Sequence, residues 1–166
     1  MYQVRLAILT DLDLLQGIER AASVLFPAGR LPDSDDVMPM SELEAANRDR
    51  LLLVSLRDEG VIGFAMSKEY DGLLHLAVMA VHPDHGKRGV GSKLVQGVIE
   101  RAKRRQLQGV TLTTFRDLPW NAPFYGKLGF RTLSDSELSF MLRETLGKEE
   151  SLGMTERVAM LYSIAA

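Results

Sequence analysis

The 166-residue chain contains no cysteine. This absence excludes disulfides, thiolate-bound zinc and a cysteine nucleophile, and it fits a reducing compartment. The chain also lacks an apolar run close to the roughly 18 residues of a membrane span. Its first residues lack the basic and apolar regions of a signal peptide. We therefore expect a cytoplasmic protein that has no membrane partner.

Neither sign of charge dominates, and aromatic residues are few. Twenty Lys and Arg residues against 22 Asp and Glu residues give a net charge of −2, and aromatic residues make up 7% of the chain. Without a basic field, nucleic acid is not an expected partner. The three histidines are too scattered to predict a metal site. The length and a hydrophobic content of 46% predict one globular domain over residues 1–166.

Strand-like and helix-like segments alternate along the chain, which indicates a mixed α/β (α+β) fold. The predicted strands are 3–8, 51–56, 61–67, 73–81, 110–115, 130–133 and 157–164. The predicted helices are 10–25, 41–48, 89–105, 121–128 and 134–148. Because residues 73–81 are almost continuously apolar, we expect a central strand covered on both faces. The terminal strand pairs either within the subunit or with a neighbouring copy in a homodimer.

The most informative segment is a glycine-rich turn between the central strand and the longest helix, HPDHGKRGVGS at residues 82–92. Backbone N–H groups in such a turn and at a helix N-terminus bind anions, and Lys87 and Arg88 add positive charge. A P-loop does not fit, because Ser92-Lys93 replaces its Lys-Ser/Thr pair. A dinucleotide fingerprint does not fit, because Leu94 occupies the third glycine position. A turn that merely requires glycines is the alternative.

Two motifs together resemble the GNAT family of N-acetyltransferases, which use acetyl-CoA. The turn GKRGVG at residues 86–91 resembles the family's acetyl-CoA loop, in which Gln or Arg precedes two residues and then Gly-X-Gly/Ala. The segment NAPFYGKLGF at residues 121–130 resembles the family's Asn…Phe-Tyr…Gly-Phe block. The two motifs occur in the family's order. Gly86 stands where the family usually has Gln or Arg, so we expect weaker or altered cofactor binding.

The resemblance implies a GNAT-like mixed, mostly antiparallel sheet flanked by helices, and direct transfer of acetyl from acetyl-CoA to an amine, for example that of a cationic small molecule, a lysine side chain or a protein N-terminus. It makes Tyr125 the acid that protonates the leaving thiolate, since a phenol can keep its proton and donate it to a nearby thiolate. The alternatives are a non-catalytic CoA-binding module, a core role for Tyr125 and a helix cap at Asn121. The implied cofactor-binding residues are Met79, Ala80, Val81, Gly86, Lys87, Arg88, Gly89, Val90, Gly91, Ser92 and Asn121.

The motifs do not identify the general base or the acceptor. Glu19 and His75 are candidate bases, although the pattern favours a surface position for Glu19 and a structural, buried position for His75. One acidic stretch contains no Lys or Arg and predicts a rim that attracts a cationic amine, such as a polyamine, an aminoglycoside or a lysine side chain. A solvated loop is the alternative. The stretch comprises Asp33, Asp35, Asp36, Glu42 and Glu44.

Overall fold

A seven-stranded mixed sheet forms the centre of the fold. The computed structural model describes residues 1–32 and 36–164, and its strand order is β1-β2-β3-β4-β5-β7-β6. The strands are β1 (Tyr2–Leu6), β2 (Leu52–Arg57), β3 (Gly60–Tyr70), β4 (Leu73–Val81), β5 (Gly109–Phe115), β6 (Arg131–Thr132) and β7 (Arg157–Ser163). Only the β4–β5 pair is parallel among these described strands, which confirms the mostly antiparallel sheet. The terminal strand pairs within the chain, with β5 and β6.

Helices cover both faces of the sheet. They are α1 (Leu12–Ser23), α2 (Met40–Arg48), α3 (Val90–Arg104), α4 (Ala122–Lys127) and α5 (Phe140–Ser151). Successive residues of β2 point to opposite faces. Leu53 packs in the cluster that contains the apolar stripe of α3, whereas Leu52 and Val54 pack in the cluster beneath α1 and α2. No helix among the described residues combines the length and the apolarity needed to cross a membrane.

Two helices begin later than the sequence pattern predicts, because local hydrogen bonds fix their starts. Residues Leu9–Asp11 form a 3-10 turn, in which the Asp11 carboxylate accepts the N–H of Ile8 at 2.8 Å. The first helix therefore starts at Leu12. Near the other end of the chain, Ser139 Oγ accepts the N–H of Leu142 at 3.2 Å. This cap begins α5 at Phe140, so the predicted helix 134–148 is wrong over residues 134–139, of which Asp135–Glu137 form a separate 3-10 turn.

The parallel strands β4 and β5 pair over a short length and then separate. Leu73, Leu74 and His75 pair with residues 109–111, and no further pairs follow in the described strands. On the other side of β4, Met66 pairs with Val78 and Ser67 with Leu76. Ala77 is therefore left without a partner, as in a β-bulge. The bulge and the separation lie side by side, which leaves the end of β4 available for a ligand.

His75 marks the last pair and is structural, as predicted. The ring is buried, and its Nδ1 lies 2.9 Å from the Thr111 hydroxyl. Burial lowers the pKa of His75 to about 4, because the charged form loses its hydration.

Candidate active site

The separated ends of β4 and β5 open into a cavity of about 460 Å³. Residues 76–80 of β4 and 112–115 of β5 form two of its walls. The other walls come from α1 and the loop after it, and from residues of α5 and β7. Among the predicted site residues, Met79, Ala80, Asn121 and Tyr125 line this cavity. The structure therefore brings the end of the central strand together with the second motif.

The glycine-rich turn has the backbone shape of an anion site. A 3-10 turn at Pro83–His85 leads into Lys87 and Gly89, whose φ angles are +60° and +80°. Gly89 occupies the N-cap position of α3 and has no side chain to bind the first N–H groups of the helix. These groups have no intrahelical partner, so they are available to an external anion.

The turn adjoins the cavity rather than lining it. A Cβ atom built on Gly91 would lie 3.5 Å from both Met79 Cε and Phe124 Cζ. The start of α3, the end of β4 and the short helix α4 therefore meet at Gly91. The predicted cofactor residues outside the cavity lining are Val81, Gly86, Lys87, Arg88, Gly89, Val90, Gly91 and Ser92.

Further basic side chains surround the turn, and the motifs do not point to them. Arg57 Nη1 donates to the Tyr2 hydroxyl at 3.1 Å, and the same hydroxyl lies 3.1 Å from His85 Nδ1. Lys93 Nζ donates to the Tyr2 carbonyl at 3.3 Å. Arg88 also interacts with the Tyr2 hydroxyl. Arg57 of β2 and Lys93 of α3 thus extend the basic surface of the turn, which favours a ligand with several phosphates.

Asn121 carries a buried acceptor without a partner. Its Oδ1 forms no hydrogen bond within the described part of the chain, while its Nδ2 donates to the Trp120 carbonyl at 3.1 Å. Asn121 is the N-cap residue of α4, as the helix-cap alternative predicts, but its side chain makes no capping hydrogen bond. An unsatisfied buried acceptor costs about 1–3 kcal/mol, and a donor from a bound ligand would remove that cost. Together with the turn, this observation shows that the residues present fit acetyl-CoA.

Tyr125 is both a core aromatic and a cavity residue. Its side chain is 8% exposed, and its ring contacts those of Phe124 and Phe130 edge-on, at 5.1 and 5.7 Å between centroids. Burial raises the pKa of the Tyr125 hydroxyl above its ordinary value, and Arg157 offsets only part of this effect. The described residues offer this hydroxyl no hydrogen-bond partner. A phenol in this setting keeps its proton at neutral pH and is free to donate it.

Glu19 lines the cavity, so the expected surface position is wrong. Its half-buried carboxylate accepts the N–H of Met38 at 2.8 Å. Burial raises the pKa of Glu19, and the charge of Asp36 adds to the rise; the Met38 N–H and Arg20 oppose it. Met38, in the segment that precedes α2, thus returns to the carboxylate of Glu19.

The structure brings only part of the acidic stretch to the cavity. Asp36 lines it. Glu42 instead forms an ion pair with Lys68 at 2.8 Å and lines a separate pocket, and Glu44 is not a cavity residue. Asp33 and Asp35 lie outside the described residues. The predicted acidic rim is therefore wrong for Glu42 and Glu44.

A partly buried ion pair in the cavity wall has no signature in the sequence. Arg157 Nε donates to Glu149 Oε1 at 3.0 Å, and the Thr113 hydroxyl donates to Glu149 Oε2 at 2.7 Å. Both charged side chains are less than one-fifth exposed, at 14% and 17%. Strands β5 and β7 and helix α5 contribute one residue each, so no local motif predicts the arrangement.

Residues 24–32, which follow α1, contact the end of β5 and the segment after it. Arg30 donates to both carboxylate oxygens of Asp117, at 3.1 and 2.6 Å, and its guanidinium lies 4.6 Å from the centre of the Phe115 ring. Phe26 contacts Trp120 edge-on, with 5.9 Å between ring centroids. These contacts join the loop to the segment that leads into Asn121.

Solved structures of similar fold include an N-acetylglutamate synthase and two N-acetyltransferases. N-acetylglutamate synthase from Neisseria gonorrhoeae, complexed with coenzyme A and N-acetyl-glutamate, gives a TM-score of 0.78 at 18% identity, over 100% of this chain and 36% of that one. The ribosomal-protein-S18-alanine N-acetyltransferase from Escherichia coli gives 0.72 at 19%, over 100% and 97%. The PaiA N-acetyltransferase from Thermoplasma acidophilum, in complex with coenzyme A, gives 0.67 at 16%, over 99% of each chain. The chain thus spans about a third of the first protein and nearly all of the other two.

These TM-scores establish a shared fold. The family model of the acetyltransferase (GNAT) family matches residues 15–130, which include both sequence motifs and most of the cavity. The chain therefore belongs to the GNAT family of acetyltransferases and is an acyltransferase by membership.

Proposed function

We propose that this protein, as a single domain over residues 1–166, transfers the acetyl group of acetyl-CoA directly to the amine of a small cationic acceptor. The observation that carries the proposal is the cavity between β4 and β5, which is lined by the protonated Tyr125 and by Asn121 with its unpaired Oδ1 and which adjoins the glycine-rich turn where Gly91 meets Met79. Family membership and the coenzyme A in similar folds support it. The lack of cysteine favours direct transfer.

Each part of the site has its own task. The turn and the first N–H groups of α3 bind the phosphates, with Lys87 and Arg88 adding charge. The edge of β4 that faces the gap offers backbone groups to the pantetheine arm, since β5 no longer pairs there. Asn121 fixes the arm through its free oxygen. When bound, acetyl-CoA supplies the acyl group. Tyr125 holds a proton at its hydroxyl and donates it to the departing sulfur.

The charge of the cavity supports a cationic acceptor. Among the residues that the structure describes, three carboxylates line it, those of Glu19, Asp36 and Glu149. Within residues 1–32 and 36–164, Arg157 is the single cationic lining residue, and it is already paired with Glu149. The remaining negative charge attracts an ammonium group. Because the cavity is within the size range of small-molecule sites, the acceptor is a small molecule or the end of a side chain.

Acetyl-CoA is expected to raise the melting temperature, Tm, of the protein. A ligand at about 100 times its Kd adds about 2.7 kcal/mol to the free energy of unfolding, which corresponds to roughly 5–10 °C for a domain of this size. Thermal unfolding with acetyl-CoA, ATP or NAD measures the effect. ATP and NAD are expected to give a smaller shift, because neither carries the pantetheine arm. An unchanged Tm at millimolar acetyl-CoA would refute the proposal.

An amine panel is expected to separate acceptors by charge. We expect spermidine or Nα-acetyl-lysine to exceed glutamate in kcat/KM on the order of tenfold or more, because the cavity attracts cations and repels the glutamate carboxylates. Release of the coenzyme A thiol, followed with a thiol reagent, measures the rates. Added salt should reduce this ratio of kcat/KM values, because ions screen the attraction between the cavity carboxylates and the cationic acceptor. A preference for glutamate would show that the acceptor class is wrong.

A further inference from the structure

Glu19 uses only part of its hydrogen-bonding capacity, although it lies inside the cavity. It is in the second half of α1 and shares the cavity with Tyr125. Its Oε1 accepts the N–H of Met38 at 2.8 Å. Its Oε2 receives no hydrogen bond from the part of the chain that the structure describes. A carboxylate accepts up to about four hydrogen bonds, so the Glu19 anion has room for a donor from a ligand.

The other titratable groups near the cavity are less suited to take a proton. Both oxygens of Glu149 are engaged, by Arg157 and by Thr113. Asp36 is exposed, so its carboxylate is hydrated by bulk solvent and is not enclosed with a bound amine. His75 does not line the cavity, and its Nδ1 is held by the Thr111 hydroxyl. Among the described residues, Glu19 is therefore the carboxylate best placed for proton transfer.

We propose that Glu19 is the general base of the transfer and accepts a proton from the ammonium group of the acceptor. The step is R–NH₃⁺ plus the Glu19 carboxylate giving R–NH₂ plus the neutral Glu19 acid. The nitrogen lone pair becomes available for attack, and the proton passes from Glu19 to water after the product leaves. The step needs no further reactant. It rests on the proposed function, because it requires an amine in the cavity.

The surroundings of Glu19 favour this role. A general base is most effective when its pKa lies near the working pH. Burial and the charge of Asp36 raise the pKa of Glu19 towards that range, against the opposing effect of the Met38 N–H and of Arg20. The titratable and charged groups that lie next to Glu19 on α1 or line the same cavity are Arg20, Asp36, Tyr125, Glu149 and Arg157.

The variant Glu19→Gln separates proton transfer from structure. Glutamine keeps an oxygen that accepts the Met38 N–H, but it cannot take a proton at neutral pH. With acetyl-CoA and spermidine, we expect kcat to fall about 100-fold or more, while the rise in Tm caused by acetyl-CoA is unchanged. The fall in wild-type kcat towards acidic pH should disappear in the variant. The control Glu44→Gln, outside the cavity, should behave as wild type.

A second measurement needs no acceptor. Since the folded state raises the pKa of Glu19 above its ordinary value of 4.5, this group stabilises the fold fully only below that value. Its contribution is lost as the pH rises through the folded-state pKa. The Tm of wild type relative to Glu19→Gln is therefore expected to fall from pH 4 to pH 8. A difference that stays constant or grows would overturn the assignment.

The outcomes distinguish this inference from the proposed function. Unchanged kcat and an unchanged pH profile in Glu19→Gln would overturn the role of Glu19 and leave acetyl transfer standing. A wild-type protein that binds acetyl-CoA but acetylates neither spermidine nor Nα-acetyl-lysine would overturn both. Loss of the acetyl-CoA effect on Tm in Glu19→Gln would show that the residue serves the structure of the site, which also overturns its role as a base.

Discussion

Replacing Tyr125 with phenylalanine is expected to lower kcat about 100-fold or more and to leave acetyl-CoA binding intact. The ring contacts with Phe124 and Phe130 remain, and the hydroxyl that is removed has no partner among the described residues. The loss of turnover therefore reports the lost proton donor. Steady-state release of the coenzyme A thiol measures kcat, and the rise in Tm on adding acetyl-CoA measures binding.

Tyr162→Phe is the matched control for this variant. Tyr162 contacts Phe130 at 5.5 Å between ring centroids but does not line the cavity. Its variant should keep wild-type kcat. If Tyr125→Phe also kept wild-type kcat, Tyr125 would have no part in proton transfer. Its aromatic contacts would then be its whole role.

Replacing Gly89 with valine is expected to abolish the rise in Tm at millimolar acetyl-CoA. The φ angle of Gly89 is +80°, a region that costs a non-glycine residue about 1–3 kcal/mol and is worst for a β-branched one. The side chain would also stand beside the N–H groups that receive the phosphates. Thermal unfolding with and without acetyl-CoA measures both consequences, because the ligand-free Tm reports the strain and the shift reports binding.

Gly147→Ala is the control for a glycine substitution in itself. Gly147 lies in α5, and a Cβ built there meets nothing within 4 Å. Alanine gains up to about 1 kcal/mol in a helix relative to glycine, so this variant should be at least as stable as wild type and should still respond to acetyl-CoA. A folded Gly89→Val that responded in full would show that the turn does not bind the ligand.

The predictable parts of the site are those encoded over short distances in the sequence. The glycine-rich turn follows β4 and starts α3 within a dozen residues, and the second motif lies within a single helix and its flanks. A strand buried on both faces can also be recognised in the sequence, because few polar residues interrupt it. These features predict the type of sheet and the position of the turn, and they single out Asn121 and Tyr125, which line the cavity.

The remaining parts depend on contacts between distant residues. Arg30 and Asp117 are 87 positions apart, and Met38 lies 19 positions after the carboxylate that it binds. Glu19 follows Leu15 by four positions and therefore lies on the same side of α1 as that buried leucine, but spacing cannot show that the Met38 N–H returns to bind its carboxylate. The departure at Gly86 is also informative. Its φ and ψ, −69° and 157°, are open to any residue, but a Cβ atom there would lie only 3.3 Å from the Pro83 carbonyl oxygen.

The separation of β4 and β5 beyond His75 affects how the protein unfolds locally. Three residue pairs join strands β1–β4 to strands β5–β7 along the β4–β5 edge. Helix α3 is the second connection, because it packs on strands from both parts of the sheet. Regions with few shared hydrogen bonds open locally at a lower free energy than the whole protein unfolds. A ligand that fills the gap joins the two parts of the sheet. Amide protons of residues 76–80 and 112–115 should then exchange with solvent more slowly in the complex. With the ligand bound, the two parts of the sheet are expected to unfold as one cooperative unit.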